Sequence, residues 1–169
     1  MSRVWRGVST LIKLTEIVAK GAVIPNVKSS DRDEVITELI DALIASGAAS
    51  HTIRDELIGR VLEREKKGST GFGRGVAVPH VKHKSVAKIA AAVGLSAHGI
   101  DFNALDKLPV YSVFLLLSPE DRPEDHLQAM EAIFKNLSKS TFRSFLRQST
   151  TPEDILGLLE EADGHGFAG

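Results

Sequence analysis

The sequence predicts an α/β fold: a single layered domain with a central mixed β-sheet flanked by helices on both faces. Three observations carry this reading. Amphipathic helical stripes occur in both halves of the chain, two apolar β-prone runs lie between them, and the second run is apolar at nearly every position, as in a strand covered on both sides.

A length of 169 residues with 43% hydrophobic content suffices for one well-buried core and is short for two full-sized domains. Residues 1–10 read as an N-terminal tail, 11–162 as the domain and 163–169 as a C-terminal tail. The 21 Lys and Arg against 22 Asp and Glu give a formal charge of -1, so no broad field draws nucleic acid or an anionic membrane, and anion chemistry needs a local site. Cysteine is absent, which excludes a disulfide framework, a thiolate metal site and a catalytic thiol. The N-terminal region is interrupted by Lys13, Glu16 and Lys20 before a signal-peptide apolar run can form, and no stretch has membrane-spanning length. The cytoplasm is the expected location, with no membrane insertion and no nucleic-acid partner.

Residues 11–25 read as a short helix followed by a strand. A first clear helix is expected from Ser30, its hydroxyl capping the first turn with Asp33 three residues on, and Val35, Ile36, Leu39, Ile40, Leu43 and Ile44 describe its buried face until Gly47. A second helix starts after Thr52, with Asp55 completing a similar box, and buries Ile53, Leu57, Val61 and Leu62 until Gly68. Glu56 with Arg60 and Glu63 with Lys67 are one-turn pairs on its wet side. The run GSTGFGRG, residues 68–75, has four glycines in eight positions and reads as a loop. Strands are expected at KIAAAVGL, 88–95, and VYSVFLLL, 110–117, with a shorter one at VAV, 76–78. Pro123 suits a helix's first turn, and His126, Met130, Ile133, Phe134 and Leu137 form the next stripe. Phe142, Phe145 and Leu146 suggest a short helix, and Thr151, Pro152 and Asp154 open a last one carrying Ile155, Leu156 and Leu159.

Among six histidines, His80 has the most informative setting, because it follows a glycine-rich loop and a rigid VAVP segment. Pro79 fixes its own φ and biases Val78 towards an extended shape, while glycines let backbone amides approach an anion. On these features alone a structural or surface histidine is the leading reading.

The segment REKKGSTGFGRGVAVPH, residues 64–80, resembles the active-site signature of type-2 enzyme IIA domains of the phosphoenolpyruvate-dependent sugar phosphotransferase system, the fructose, mannitol and nitrogen-regulatory branch. IDFNALDKLPV at 100–110, VFLLLSPED at 113–121 and HLQAMEAIFKNL at 126–137 are similar to the family's later blocks, in order and at matching separations. The resemblance covers roughly residues 11–162, and several ordered blocks are far more specific than one glycine motif.

The resemblance implies a phosphocarrier. His80 would be the phosphorylated residue, with Arg64 and His126 supporting it, and the histidine-containing phosphocarrier protein would be the donor. The acceptor would be an enzyme IIB or a regulatory target. The chemistry suits a neutral imidazole, which is nucleophilic near neutral pH and holds a phosphoryl group reversibly. Such transfer needs positioning and charge stabilisation more than covalent help. Arg64 and His126 also have plain readings, as a solvated helix charge paired with Glu63 or Glu65 and as a half-buried core histidine. Ser69, Thr70, Gly73, Arg74 and Gly75 are candidates for the phosphate loop, although Ser69 and Thr70 also read as mere helix terminators. Arg74 stands where many members have Asn, and Val81 where many have Gly; both departures bear on partner docking. His51 and His165 read as surface residues. A metal site from His80, His83, His98 and His126 matches no common spacing and ranks well below phosphoryl transfer, and no bound cofactor is called for. Two further classes stay open: a non-catalytic regulatory module of the same fold controlling a transporter or kinase, and, last, a metal-dependent hydrolase.

Overall fold

The computed structural model describes residues 12–164, so the expected tail at 1–10 and His165 lie outside them. Six strands form one mixed sheet: β1 Val18–Ile24, β2 Gly71–Gly73, β3 Val76–Ala77, β4 His80–His83, β5 Ala90–Ile100 and β6 Val110–Pro119. Their order is β1-β5-β6-β3-β2, and β4 also pairs with β6. β5 and β6 run antiparallel, whereas β1 on β5 and both β3 and β4 on β6 run parallel.

Helix α1 covers Leu14–Ile17, α2 Arg32–Ala45, α3 Arg54–Lys66, α4 Pro123–Leu137, α5 Ser140–Gln148 and α6 Pro152–Gly164. Strand alternation sorts the apolar run of β6 between two cores. Val113, Leu115 and Leu117 pack with the stripes of α2 and α3, and Phe114 and Leu116 pack with α1 and α4 to α6. Each of these five side chains has no exposed surface. That double burial is why the run lacks alternation in sequence, and truncating one of its leucines to Ala would cost about 2–5 kcal/mol.

Several starts and boundaries differ from the sequence reading. The cap of α2 is Asp31, which accepts from the Glu34 amide at 3.1 Å, because the first intrahelical bond runs from the Val35 amide to the Asp31 carbonyl at 3.0 Å. Gly47, at φ +85°, ends that helix as expected. A 3-10 turn, His51–Ile53, precedes α3, and Asp55 completes no box but pairs with Arg54 at 3.0 Å. Glu56 and Arg60 form their pair at 3.0 Å, and no ion pair joins Glu63 to Lys67 among the described residues. Helix α6 runs to Gly164, past the expected start of the tail at 163, because the Asp163 carboxylate accepts from the Leu14 and Thr15 amides at 2.8 and 3.0 Å and so fastens the helix to α1. Phe134, expected in the core stripe of α4, is 37% exposed and instead meets the Phe72 ring at 4.8 Å; Phe145 is likewise exposed.

The glycine run is only in part a loop. Gly71–Gly73 pairs antiparallel with β3 across the two-residue turn Arg74-Gly75, whose φ values are +61° and +77°. A turn with both central residues at positive φ favours Asn-Gly, which gives a physical reason for asparagine at position 74. An arginine there costs about 1 kcal/mol or more. Strand β4 was not expected. Pro79 has no amide to give, so the pairing with β6 lapses at Val78 and Pro79, then resumes with His80 opposite Leu116 through His83 opposite Pro119. The Pro79 carbonyl still accepts from the Leu116 amide at 3.0 Å, which keeps the broken edge strand in line.

Candidate functional site

Alternation along β4 sends its side chains to opposite faces. Val81 is buried in the core beneath α2 and α3, and His83, also buried, lies with Nε2 3.0 Å from the Glu56 carboxylate on α3. His80 and Lys82 take the other face. There the His80 ring stands 5.6 Å, centroid to centroid and tilted by 56°, from the ring of His126 on α4.

The break at Pro79 has a chemical consequence. It leaves the Val78 carbonyl beside the His80 ring, where Nδ1 lies 2.9 Å from that oxygen. Only a protonated nitrogen can donate to a carbonyl, so Nδ1 carries a hydrogen, and in the neutral ring Nε2 is the nitrogen that keeps its lone pair. The ring is half-buried.

His126 is buried at the start of α4, and its Nδ1 lies 2.6 Å from Ser118 Oγ at the end of β6. Burial, then the charges of Lys82 and His80, push its pKa from 6.5 down to about 4. It is therefore a neutral ring at neutral pH. Placement of the pair at the carboxyl end of β6 follows the rule that sites in α/β sheets gather there.

The remaining sequence candidates fall into separate places. Arg64 pairs with neither Glu63 nor Glu65. Its Nη1 donates to the Gly68 carbonyl at 2.7 Å across the end of α3, and no hydrogen bond joins it to either imidazole among the described residues. Ser69 Oγ accepts from the Gly71 amide at 3.0 Å and donates to the Phe102 carbonyl at 3.0 Å. Thr70 holds the loop against the site strand, since its carbonyl accepts from the Val78 amide at 3.2 Å. Gly73, Arg74 and Gly75 form the hairpin turn instead, and the path from Gly75 to His80 is about 16 Å at a strand rise of ~3.3 Å per residue. The Val81 departure concerns packing, because that side chain is buried. His98 is exposed and His83 faces away, so the four histidines do not converge, and no cluster of three or more His, Asp or Glu suited to a metal ion occurs among the described residues.

Two contributors escaped the sequence reading. Glu65 is 3% exposed, and its carboxylate accepts from both the amide and the hydroxyl of Thr70, locking the loop base to α3. The signal was present: Leu57, Val61 and Glu65 fall on one helical stripe, so this carboxylate had to point inward and find a donor. Ser118, the partner of His126, is the polar residue that follows the apolar run 113–117 of β6. Beside the histidines, Leu127, Met130, Glu131, Phe134 and Lys135 line a shallow groove on α4, with Leu127 66% exposed.

Residues 16–162 match the family model described as phosphoenolpyruvate-dependent sugar phosphotransferase system, EIIA 2. The chain belongs to that family. It is 30% identical over 90% of its length to the fructose-specific EIIABC component of Bacillus subtilis, of which it spans 24%, so this EIIA domain corresponds to about a quarter of that longer protein. It is 35% identical to a nitrogen regulatory protein of Bradyrhizobium diazoefficiens, over 86% of this chain and 94% of that one. Among solved structures it resembles nitrogen regulatory protein IIA-Ntr from Neisseria meningitidis, with a TM-score of 0.78 and 26% identity over 86% of this chain and 98% of that one. Those likenesses agree with the open mixed sheet and helices of this EIIA domain. No helix among the described residues is long and apolar enough to cross a membrane.

Proposed function

We propose that this EIIA domain accepts a phosphoryl group on Nε2 of His80 from the histidine-containing phosphocarrier protein, then passes it to an enzyme IIB or holds it as a regulatory mark. The observation that carries the reading is the Nδ1 hydrogen bond to the Val78 carbonyl, which leaves Nε2 as the nucleophile of a pre-oriented ring. In the transfer, Nε2 attacks phosphorus, the donor's N–P bond breaks, and the donor imidazole recovers its electron pair. Nδ1 keeps its proton throughout, and the Val78 carbonyl that accepts its hydrogen bond stabilises the positive charge that grows on the ring.

His126 supports this as a neutral donor. If the Ser118 hydroxyl donates to Nδ1, then Nε2–H of His126 is the group left to bond a phosphoryl oxygen, directly or through water. Arg64 acts as the cationic clamp in the complex with the donor, swinging from the Gly68 carbonyl to the equatorial oxygens. The groove of Leu127, Met130 and Phe134 is the apolar ground on which a carrier protein seats. On this reading the protein works in the cytoplasm.

Incubation of the chain with phosphoenolpyruvate, enzyme I and the phosphocarrier tests the proposal: an acid-labile gain of one phosphoryl mass is expected, and a chain that stays unmodified while the carrier is fully phosphorylated refutes it. A second reading, a regulatory module whose contacts depend on its surface and on the charge at His80, is favoured by the 35% identity to a nitrogen regulatory protein across nearly its full length. Label that arrives and is never passed to any IIB distinguishes it.

A further inference from the structure

The other end of the broken edge strand carries a group of cations with no role in the phosphoryl site. Arg74 sits at the exposed tip of the β2–β3 hairpin, in the left-handed region at φ +61°. Behind the tip, the Tyr111 amide donates to the Gly75 carbonyl at 2.8 Å, and the Tyr111 ring lies so close that a Cβ on Gly75 would meet it at 3.2 Å. The Arg147 guanidinium of α5 stacks over that ring, 3.7 Å from its centroid. Arg143 is one helical turn before Arg147 on the same face of α5, and its Nη1 donates to the Leu137 carbonyl at 2.8 Å. Its guanidinium is held below the ordinary arginine range by burial and by the charge of Arg74.

None of these three arginines makes an ion pair among the described residues. Asp106, the carboxylate at the turn, is spent on backbone: it accepts from the Arg74 amide at 3.2 Å and the Leu108 amide at 3.1 Å. The arrangement has costs for the fold. It sets like charges together, and it places an arginine where asparagine or glycine would relieve the backbone. Stacking on Tyr111 nevertheless holds Arg147 in one pose, so a ligand would meet a preorganised cation.

We propose that the hairpin tip and the adjoining face of α5 form a docking surface for an acidic, amphipathic segment of a partner protein, separate from the His80 site and independent of its phosphorylation. Acidity follows from the three uncompensated guanidiniums. A protein segment, rather than free phosphate or nucleic acid, follows from the apolar ground beside them: Leu105 and Leu108 are 67% and 61% exposed on the loop that bonds to the hairpin through the Leu105 amide and the Gly71 carbonyl at 2.8 Å.

The test uses the full chain and a fluorescent synthetic helical peptide with Glu and Leu along one face, alongside its Gln counterpart, inorganic phosphate and duplex RNA. Binding of the Glu peptide that weakens with salt is expected, with the Gln peptide about tenfold weaker or worse, since exposed charge pairs are individually small but sum over a cluster. The pair Arg74→Asn and Arg147→Ala should lower affinity for the Glu peptide by about tenfold; Arg74→Asn supplies the residue the turn prefers, so the variant should fold, as its circular dichroism can verify. Arg147→Ala alone should weaken the peptide and leave the rate of His80 labelling unchanged. Equal binding of the Gln peptide, tighter binding of RNA or phosphate, indifference to the arginine substitutions, or a signal traced by sedimentation to pairing between copies of this chain would each overturn the proposal.

Discussion

The two ends of the edge strand that runs beside β6 are built on opposite principles. At the β4 end the reactive groups are tied down: His80 to the Val78 carbonyl, His126, a neutral ring at neutral pH, to Ser118, and the loop base to buried Glu65. At the hairpin end three guanidiniums stand without ion-pair partners among the described residues, around a turn in the left-handed region. Transfer of a group in flight demands fixed geometry and a nucleophile with a free lone pair, so both rings are posed before the ligand and its clamp arrive. Recognition of a partner depends on fields at a rim, where uncompensated charge is useful and small shifts in position matter little.

Substitutions at the two ends should therefore fail in different ways. The largest effect is expected for His80→Ala, which should take up no phosphoryl label while keeping the thermal midpoint of the parent within a few degrees, because the ring is only half-buried and fills no core. Labelling of that variant at another histidine would erase the distinction between the ends.

Next come the two arginines nearest the glycine run. Arg64→Ala should slow transfer by about a hundredfold, the usual loss for a charged donor to a transition state, and the deficit should persist at high salt. Arg74→Ala should change the rate less than about threefold and only at low salt. Stopped transfer followed by quantitative phosphohistidine analysis decides between them, and a large salt-independent loss at Arg74 would interchange their roles.

The sign of the pH dependence is set by His126. Its folded pKa of about 4 lies below the ordinary 6.5, so the unfolded chain binds the extra proton first. Its neutral form thus supports the fold fully above about pH 6.5, and that support is lost as pH falls towards 4; the change is at most on the order of 3 kcal/mol. Urea melts at pH 7 and pH 5 should show the loss, and His126→Gln should flatten it. The smallest expected effect is at the hairpin: Arg74→Asn should raise stability by about 0.5–1 kcal/mol by relieving the positive φ, with transfer altered no more than in Arg74→Ala.

Much of the frame was legible in the sequence for physical reasons. The stripes of α2, α3 and α4 each bury one face, so their spacing announced them, and β6 declared itself by lacking alternation. What escaped was built from exceptions. Strand β4 spans only four residues behind a proline, and β2 is mostly glycine, so neither carries a propensity signal; both exist because β6 and the hairpin offer partners. The His80–His126 pair comes from strands and a helix distant in sequence. No local pattern contains it, and only the family resemblance pointed to both residues. Residues 68–75 read as a loop, yet the turn at Arg74 is tightly specified, a distinction visible only once β2 and β3 pair.

The most direct measurement of the central claim is long-range proton–nitrogen NMR on the chain labelled with nitrogen-15 and phosphorylated by the carrier. The phosphoryl group should appear on Nε2 of His80, with Nδ1 still protonated and shifted as a hydrogen-bond donor. A phosphoryl group on Nδ1, or on any other residue, would contradict the role assigned to the Val78 carbonyl and with it the proposed mechanism.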